Sequence, residues 1–279
     1  MTGDAARAID REAAPATDGE ATPGINSAAS RGIDGKASHG VSTAPLPQAL
    51  LRLMAWLSPA FPTGGFAYSH GLEWAVESGD VTNETTLRAW LGDVLAFGTG
   101  RADTILLRHA HRAGRATVAR QPTPATATAD HFDSETVTLK DIADLACATA
   151  SGRERQNESL DQGRAFMLAA AAWGVPQAPE RIPYPVAVGA VAGAHDIPED
   201  ATAAAYLQAF ATNLISAAVR LVPLGQSAGL RVLASLESTI LATANETKPG
   251  RLDDLGGCAF RSDLAAMRHE TQYTRLFRS

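Results

Sequence analysis

Cysteine is scarce in this chain. Its 279 residues include two, Cys147 and Cys258, far apart and in no CxxC pair. That excludes a disulfide framework and fits a reducing compartment. Long apolar runs are missing too. None reaches the roughly 18 residues a membrane span requires. No apolar stretch follows the basic residues near the N-terminus, so a secretory signal is not expected. Positive charge is in deficit: the net charge is −6 and the sequence pI about 5.6, so no nucleic-acid footprint is expected. No GxxxxGK[ST] loop occurs, which excludes a P-loop nucleotide site. Period-two alternation is almost absent, and no βαβ pattern can be drawn. The class left is a cytoplasmic, helical protein.

Residues 1–44 are rich in Ala, Gly, Ser, Thr, Asp and Pro, with only isolated Ile9, Ile25, Ile33 and Val41. Such a segment cannot bury enough surface to offset its ordering entropy and is expected to be disordered. From residue 45 to 279 the apolar spacing is helical. Leu50, Leu51, Leu53, Met54 and Leu57 form one such pattern. Leu87, Trp90, Leu91, Val94 and Leu95 share a face behind a cap at Thr82 to Glu84. The stretch 115–138, containing QPTPATATADHFDSETVT, reads as a surface insertion or mobile loop. Residues 139–173 are helical again, with an interruption near Ser151. The run Val186 to Ala192 suits a tightly packed helix or a strand. Glu199 to Leu221 reads as a long buried helix broken by Pro223 and Gly225, and Leu230 to Ala244 as another. Ser262 can cap a last helix. The fold class expected is all-α, a single domain of about ten helices.

The least ordinary stretch is Leu53 to Gly79. Pro59 and Pro62 fix φ and remove donors, while Gly64, Gly65 and Gly71 permit backbone that other residues avoid. It reads as a shaped turn presenting Tyr68-Ser69-His70-Gly71 at one end of a helical body. Ala67 to Gly71 is a relaxed nucleophile elbow, but the Pro-Thr-Gly-Gly-Phe before it makes a poor strand, so Ser69 is read as a helix cap. His109 and His111 point in different directions on a helix and are read as exposed. Glu154, Glu158 and Asp161, among Arg153, Arg155 and Arg164, are read as a solvated face. Two other stretches carry signal. Arg220 ends a long apolar helix just before Pro223, with Gln226 beyond it. The last residues, MRHETQYTRLFRS, mix arginine and aromatics in the way partner surfaces do. A strap on the protein's own domain is the competing reading of that segment.

These stretches carry a resemblance. Leu57 to Glu73, LSPAFPTGGFAYSHGLE, Ala217 to Gln226, AAVRLVPLGQ, and Met267 to Ser279 are similar to the three signature blocks of the UreF family of urease accessory proteins. His70 stands where that family usually has Gln, Ala67 where it has Ser and Phe61 where it has Leu. The resemblance spans about 47–279 and implies an all-helical adaptor with no reaction and no cofactor of its own. It implies binding to a UreD-type (UreH in some species) accessory protein and to the GTPase UreG, delivery of nickel to apo-urease, and a homodimer within the complex. Carried onto this chain, the UreD-facing residues are Arg268, His269, Glu270, Tyr273, Arg275, Leu276, Phe277 and Arg278. The dimer- or GTPase-facing residues are Tyr68, Ser69, His70, Glu73, Arg220 and Gln226, with Arg220 a candidate arginine finger. Two rival readings stand beside it: a serine hydrolase using Ser69, and a nickel carrier using His70 and His269.

Overall fold

The computed structural model describes residues 46–119 and 137–279, without the side chains of 118 and 119. The expected tail 1–44 and most of the 115–138 stretch lie outside those residues. Among the described residues there are eleven α-helices and no strand. They are α1 (Leu46–Trp56), α2 (Leu72–Glu77), α3 (Glu84–Phe97), α4 (Thr99–Ala119), α5 (Leu139–Ala148), α6 (Arg153–Ala170), α7 (Tyr184–Ala194), α8 (Glu199–Leu221), α9 (Gln226–Ser235), α10 (Glu237–Glu246) and α11 (Phe260–His269).

The centre is α7, the piece that could have been a strand. Pro185 at its first turn is compatible with a helix start, and Pro185 to Gly193 are buried without interruption. A helix buried all round needs no amphipathic stripe, and small residues let a neighbour come close. That neighbour is α4. A Cβ on Gly189 or Gly193 would overlap the carbonyl oxygen of Leu107 or His111, and one on Gly114 would overlap that of Ala190. The two backbones therefore touch, and α4 stays helical through Ala119. The expected loop thus begins later than residue 115, because Gly114 packs on α7 and Arg115 pairs with Asp196 at 3.0 Å.

Around this pair the other helices bury one face each. Leu87, Trp90, Leu91, Val94 and Leu95 of α3 are all inside. Each such side chain contributes roughly 1.5–3 kcal/mol. Asn83 caps α3: its side-chain oxygen accepts from Thr85 N and Thr86 N, and Thr86 Oγ1 accepts from Asn83 N. Trp56 at the end of α1 meets Phe166 and Trp173 edge-on. The fully buried Arg108 ties α4 to α8 and α10 through Glu199 (2.7 Å), Asp200 (2.9 Å) and the Ala244 carbonyl (2.6 Å). His111 is buried and bonded to Ile197 O at 2.7 Å, and His109 bonds Gly250 O at 3.1 Å, so neither is the free surface histidine expected. The Leu230 to Ala244 helix is two helices, broken at Leu236. The last helix begins at Phe260, before Ser262, which is buried in its first turn.

Candidate functional site

The shaped turn is completed by the far end of the sequence. His70 (φ 61°) and Gly71 (φ 74°) take left-handed backbone, and α2 then starts at Leu72. Gly71 is needed twice over: a Cβ there would be strained by its φ and would lie 2.6 Å from Ala266 N, so α11 could not reach the turn. Segment 271–279 leaves α11 and lies along the turn. Arg278 N donates to Ala67 O (2.9 Å), and Ser69 N donates to Ser279 O (2.7 Å). Ser69 Oγ donates to the same carbonyl and accepts from Glu73 N at 3.3 Å. The N-cap position of α2 is held by Gly71, not by Ser69 as its sequence suggested; Ser69 stands two residues ahead of it and meets the Glu73 N–H from there. Ser69 is wholly buried, and no sheet among the described residues lifts it toward a substrate, as a hydrolase elbow requires.

One carboxylate organises the contact. Glu73, in the first turn of α2, is buried and accepts Leu276 N at 2.6 Å and Phe277 N at 2.9 Å. Its Oε2 also meets His269 Nε2 at 3.2 Å. The other ring nitrogen, Nδ1, lies 2.7 Å from Glu154 Oε2, while Arg275 donates to Glu154 Oε1 at 2.5 Å. Glu270 reaches back to accept from Glu154 N, the start of α6. Phe277 is inserted, 4% exposed, with the Arg220 guanidinium 4.3 Å above its ring. Arg220 also donates to Phe66 O (2.9 Å), so its charge clamps strap and turn together.

Beneath the turn lies a polar interior. Arg155, Glu158 and Gln162 sit on one face of α6 and are buried. Of the face expected to be solvated, Arg155 and Glu158 therefore turn inward, while Arg153, Asp161 and Arg164 are exposed, Arg164 lying 3.7 Å from Asp161. Glu158 pairs with Arg155, bonds Gln162 Nε2 (3.1 Å), accepts from Ser279 Oγ (2.5 Å) and lies 3.8 Å from His70 Nδ1. Burial alone would raise its carboxyl; the Arg155 guanidinium and the His70 contact outweigh that and hold it at about 2. Burial, then Arg155, lowers His70 to about 4, leaving a neutral ring whose Nε2 is 3.0 Å from Thr99 Oγ1. Asp103, bonded to Tyr206 at 2.7 Å, is pushed up to about 6 by burial, against the pull of the Tyr206 hydroxyl and Arg155. A cavity of about 250 Å³ is lined by Gly65 and Phe66 of the turn together with Asp103, Arg155, Glu158 and Tyr206. A second, of about 110 Å³, shares Asp103 and Arg155.

Several residues taken from the resemblance as surface groups lie inside. Tyr68, Ser69, His70 and Glu73 are buried under the strap, and so are His269 and Phe277. A side chain serving a partner directly needs solvent, and theirs is spent on internal bonds. Arg268, Glu270, Tyr273, Arg275, Leu276 and Arg278 do face outward, with Tyr273 fully exposed. Gln226, exposed at the start of α9, makes none of these bonds. Phe260, Leu264 and Met267 form an apolar outer stripe on α11 that leads to Tyr273 and Leu276. Phe260, Leu264, Arg155, Asp103 and Tyr206 were missed as site residues in the sequence. The i, i+3, i+7 spacing of Arg155, Glu158 and Gln162, in line with Phe166, was the available signal.

Comparison with known proteins places this geometry. The profile of the family described as UreF matches residues 81–237. A protein of Rhodopseudomonas palustris (strain BisB18) named urease accessory protein UreF is 48% identical over 239 residues, 83% of this chain and 92% of the relative. Proteins of the same name from Bradyrhizobium diazoefficiens (49% identical, 83% and 92%) and Methylorubrum populi (50% identical, 82% and 98%) are similarly close.

Proposed function

This chain belongs to the UreF family of urease accessory proteins, and from that premise we propose that it is an adaptor which assembles the nickel-loading machinery of urease through one composite surface. A role in urease maturation follows from the family, as does the absence of an enzymatic activity of its own. The finer reading is that α11 and the strap present a docking face to a UreD-type partner. UreG is then recruited to deliver nickel to apo-urease, with the chain working as a homodimer in the cytoplasm. No helix among the described residues is long and apolar enough to cross a membrane, which accords with that setting.

The observation that carries the docking face is the stripe Phe260, Leu264, Met267, Tyr273 and Leu276. Five large apolar side chains stand exposed on α11 and the strap, and Arg268, Arg275 and Arg278 of the same two elements are exposed with them. Apolar groups with arginine beside them are how partner surfaces are built. Arg220 enters this reading as the clamp of the strap. Its contacts with Phe66 O and Phe277 support that role over a finger reaching into a GTPase.

Co-purification of the full chain with its UreD-type protein tests the face. Leu264→Asp and Tyr273→Ala should each weaken the complex by at least about 30-fold. The helical circular dichroism signal and the unfolding midpoint should stay as in the parent chain. Full-affinity binding by both variants would remove the docking face from the proposal.

A further inference from the structure

A groove of about 390 Å³ lies between α3 and the start of α11. It shares no residue with the two cavities beneath the turn. The buried Trp90 and Val94 of α3 line it, and so do Phe97 and Phe260, both more than half exposed. Two phenyl rings left in water beside one concavity are not explained by the packing of the chain on itself.

Glycine makes the groove possible. A Cβ on Gly257 would come within 2.7 Å of Phe97 O, and one on Gly98 within 2.8 Å of the Ala259 Cβ. Cys258 N donates to that same Phe97 carbonyl at 2.8 Å. The segment leading into α11 is thus fastened to the end of α3, and the groove is formed before anything enters it. A preformed apolar concavity binds without paying to order its walls, and the side chains that dominate interfaces sit in such pockets.

The groove also has a sign. Besides the Cys258 thiol, its ionisable groups are Asp80, Asp93 and Arg261. Arg261 is bonded to Asp80 and lies 5.8 Å from the centre of the Trp90 ring, so this cation is already engaged. Asp93 is exposed, and among the described residues its carboxylate takes part in no ion pair. What fits is an apolar group with a positive charge beside it. Phe260 belongs both to the groove and to the stripe that continues through Leu264 and Met267, so the two form one surface.

We propose that this groove is the anchoring pocket of the docking face: it takes a large apolar side chain of the UreD-type partner, with a neighbouring lysine or arginine answering Asp93. The proposal rests on the reading of α11 and the strap as the surface that meets that partner, and it extends that surface onto α3.

The full chain carries its own probe. Cys258 is exposed and lines the groove, whereas Cys147 lies on α5, where burial raises its thiol. Iodoacetamide alkylation of each is followed by peptide mass spectrometry, with and without saturating purified UreD-type protein. Cys258 should react at least about tenfold more slowly in the complex, with Cys147 unchanged as the internal reference. Two substitutions then probe the groove. Ala89→Trp fills it from an exposed position on α3, and Asp93→Lys reverses its charge. Each should weaken the complex by about tenfold or more, with the unfolding midpoint as in the parent chain. Cys258 reacting at the same rate in the complex overturns the proposal, as does parental affinity in both variants. Leu264→Asp and Tyr273→Ala separate the two readings. Loss of binding in these alone leaves the docking face standing without the groove. Loss in the groove variants alone leaves the groove and removes the stripe. If none of the four weakens the complex, both readings fall.

Discussion

Two contacts in this molecule are built on opposite principles. Where α4 meets α7, the contact is backbone on backbone, made by Gly114, Gly189 and Gly193, with almost nothing polar in the seam. Where the strap meets the turn, one apolar side chain, Phe277, is buried, and the rest is hydrogen bonds, some between backbones at Ala67 and Ser69 and the others converging on Glu73, Glu154 and Glu158. The first contact is held by shape and has one arrangement. The second is held by ions, and its strength depends on a few donors and on protons. The adaptor role proposed above would use both: a body that does not change and an edge whose bonds can be exchanged for a partner's.

The largest effect should come from filling the dry contact. Gly193→Val drives a side chain into the His111 carbonyl and should cost about 3 kcal/mol or more, since overpacking a tight interior forces backbone shifts. Denaturant unfolding would read it, and a loss below about 1 kcal/mol would mean that α4 and α7 are not as rigid as described. Acid should find the polar contact next. The His70 ring is held down to about 4 by burial, so the stability tied to its neutral form is complete above about pH 6.5. It is lost as pH falls toward 4, on the order of 3 kcal/mol. His70→Gln should remove that share of the acid slope. The part due to His111, also lowered by burial, would remain. Asp103 works in the opposite sense. Raised to about 6, it favours the fold increasingly as pH drops through that value, so Asp103→Asn should steepen the acid loss.

Glu73→Gln comes third. It keeps the shape but weakens bonds to two backbone amides and a ring, a loss of roughly 2 kcal/mol confined to the strap. Amide exchange at Leu276 and Phe277 should quicken while the α4 and α7 amides stay as they were. Quickening in all of them together would mean that the two contacts are one cooperative unit. Smallest is Tyr273→Ala. Tyr273 is fully exposed, and its removal should move stability by less than about 0.5 kcal/mol. A larger shift in the unfolding midpoint would show that the strap's outer face supports the fold.

How far the sequence could be read follows the same division. Elements fixed by local pattern were legible. The bounds of α8 fall where Glu199 and Leu221 suggested, and the five-residue face of α3 is buried as expected. What escaped was fixed by distant partners. Arg155 and Glu158 look like an ordinary exposed i,i+3 pair until Ser279 and His70 are brought over them. His111 looks free until Ile197 supplies its carbonyl. The outward surface assigned to Ser69, His70 and Glu73 failed for the same reason: nothing near them in sequence reveals that residues 276–279 cover them. The strap itself was one of two readings left open, because an Arg-aromatic segment suits either role. Its inner side packs on the chain's own turn, and its outer side carries the exposed residues of the proposed docking face.

Ser69 waits for its partner carbonyl across 210 residues, and Glu73 waits across 203 for its first strap amide. At translation speeds of about 5–20 residues per second, roughly ten to forty seconds separate the making of the turn from the making of what closes it. The α4–α7 body can form within that interval, but the turn cannot be sealed until residues 276–279 have left the ribosome. Synthesis that stops a few codons before residue 279 would yield a chain with every helix in place and an open turn. The seal therefore records that synthesis has run through these residues, and it is written at the edge proposed to be read by a partner.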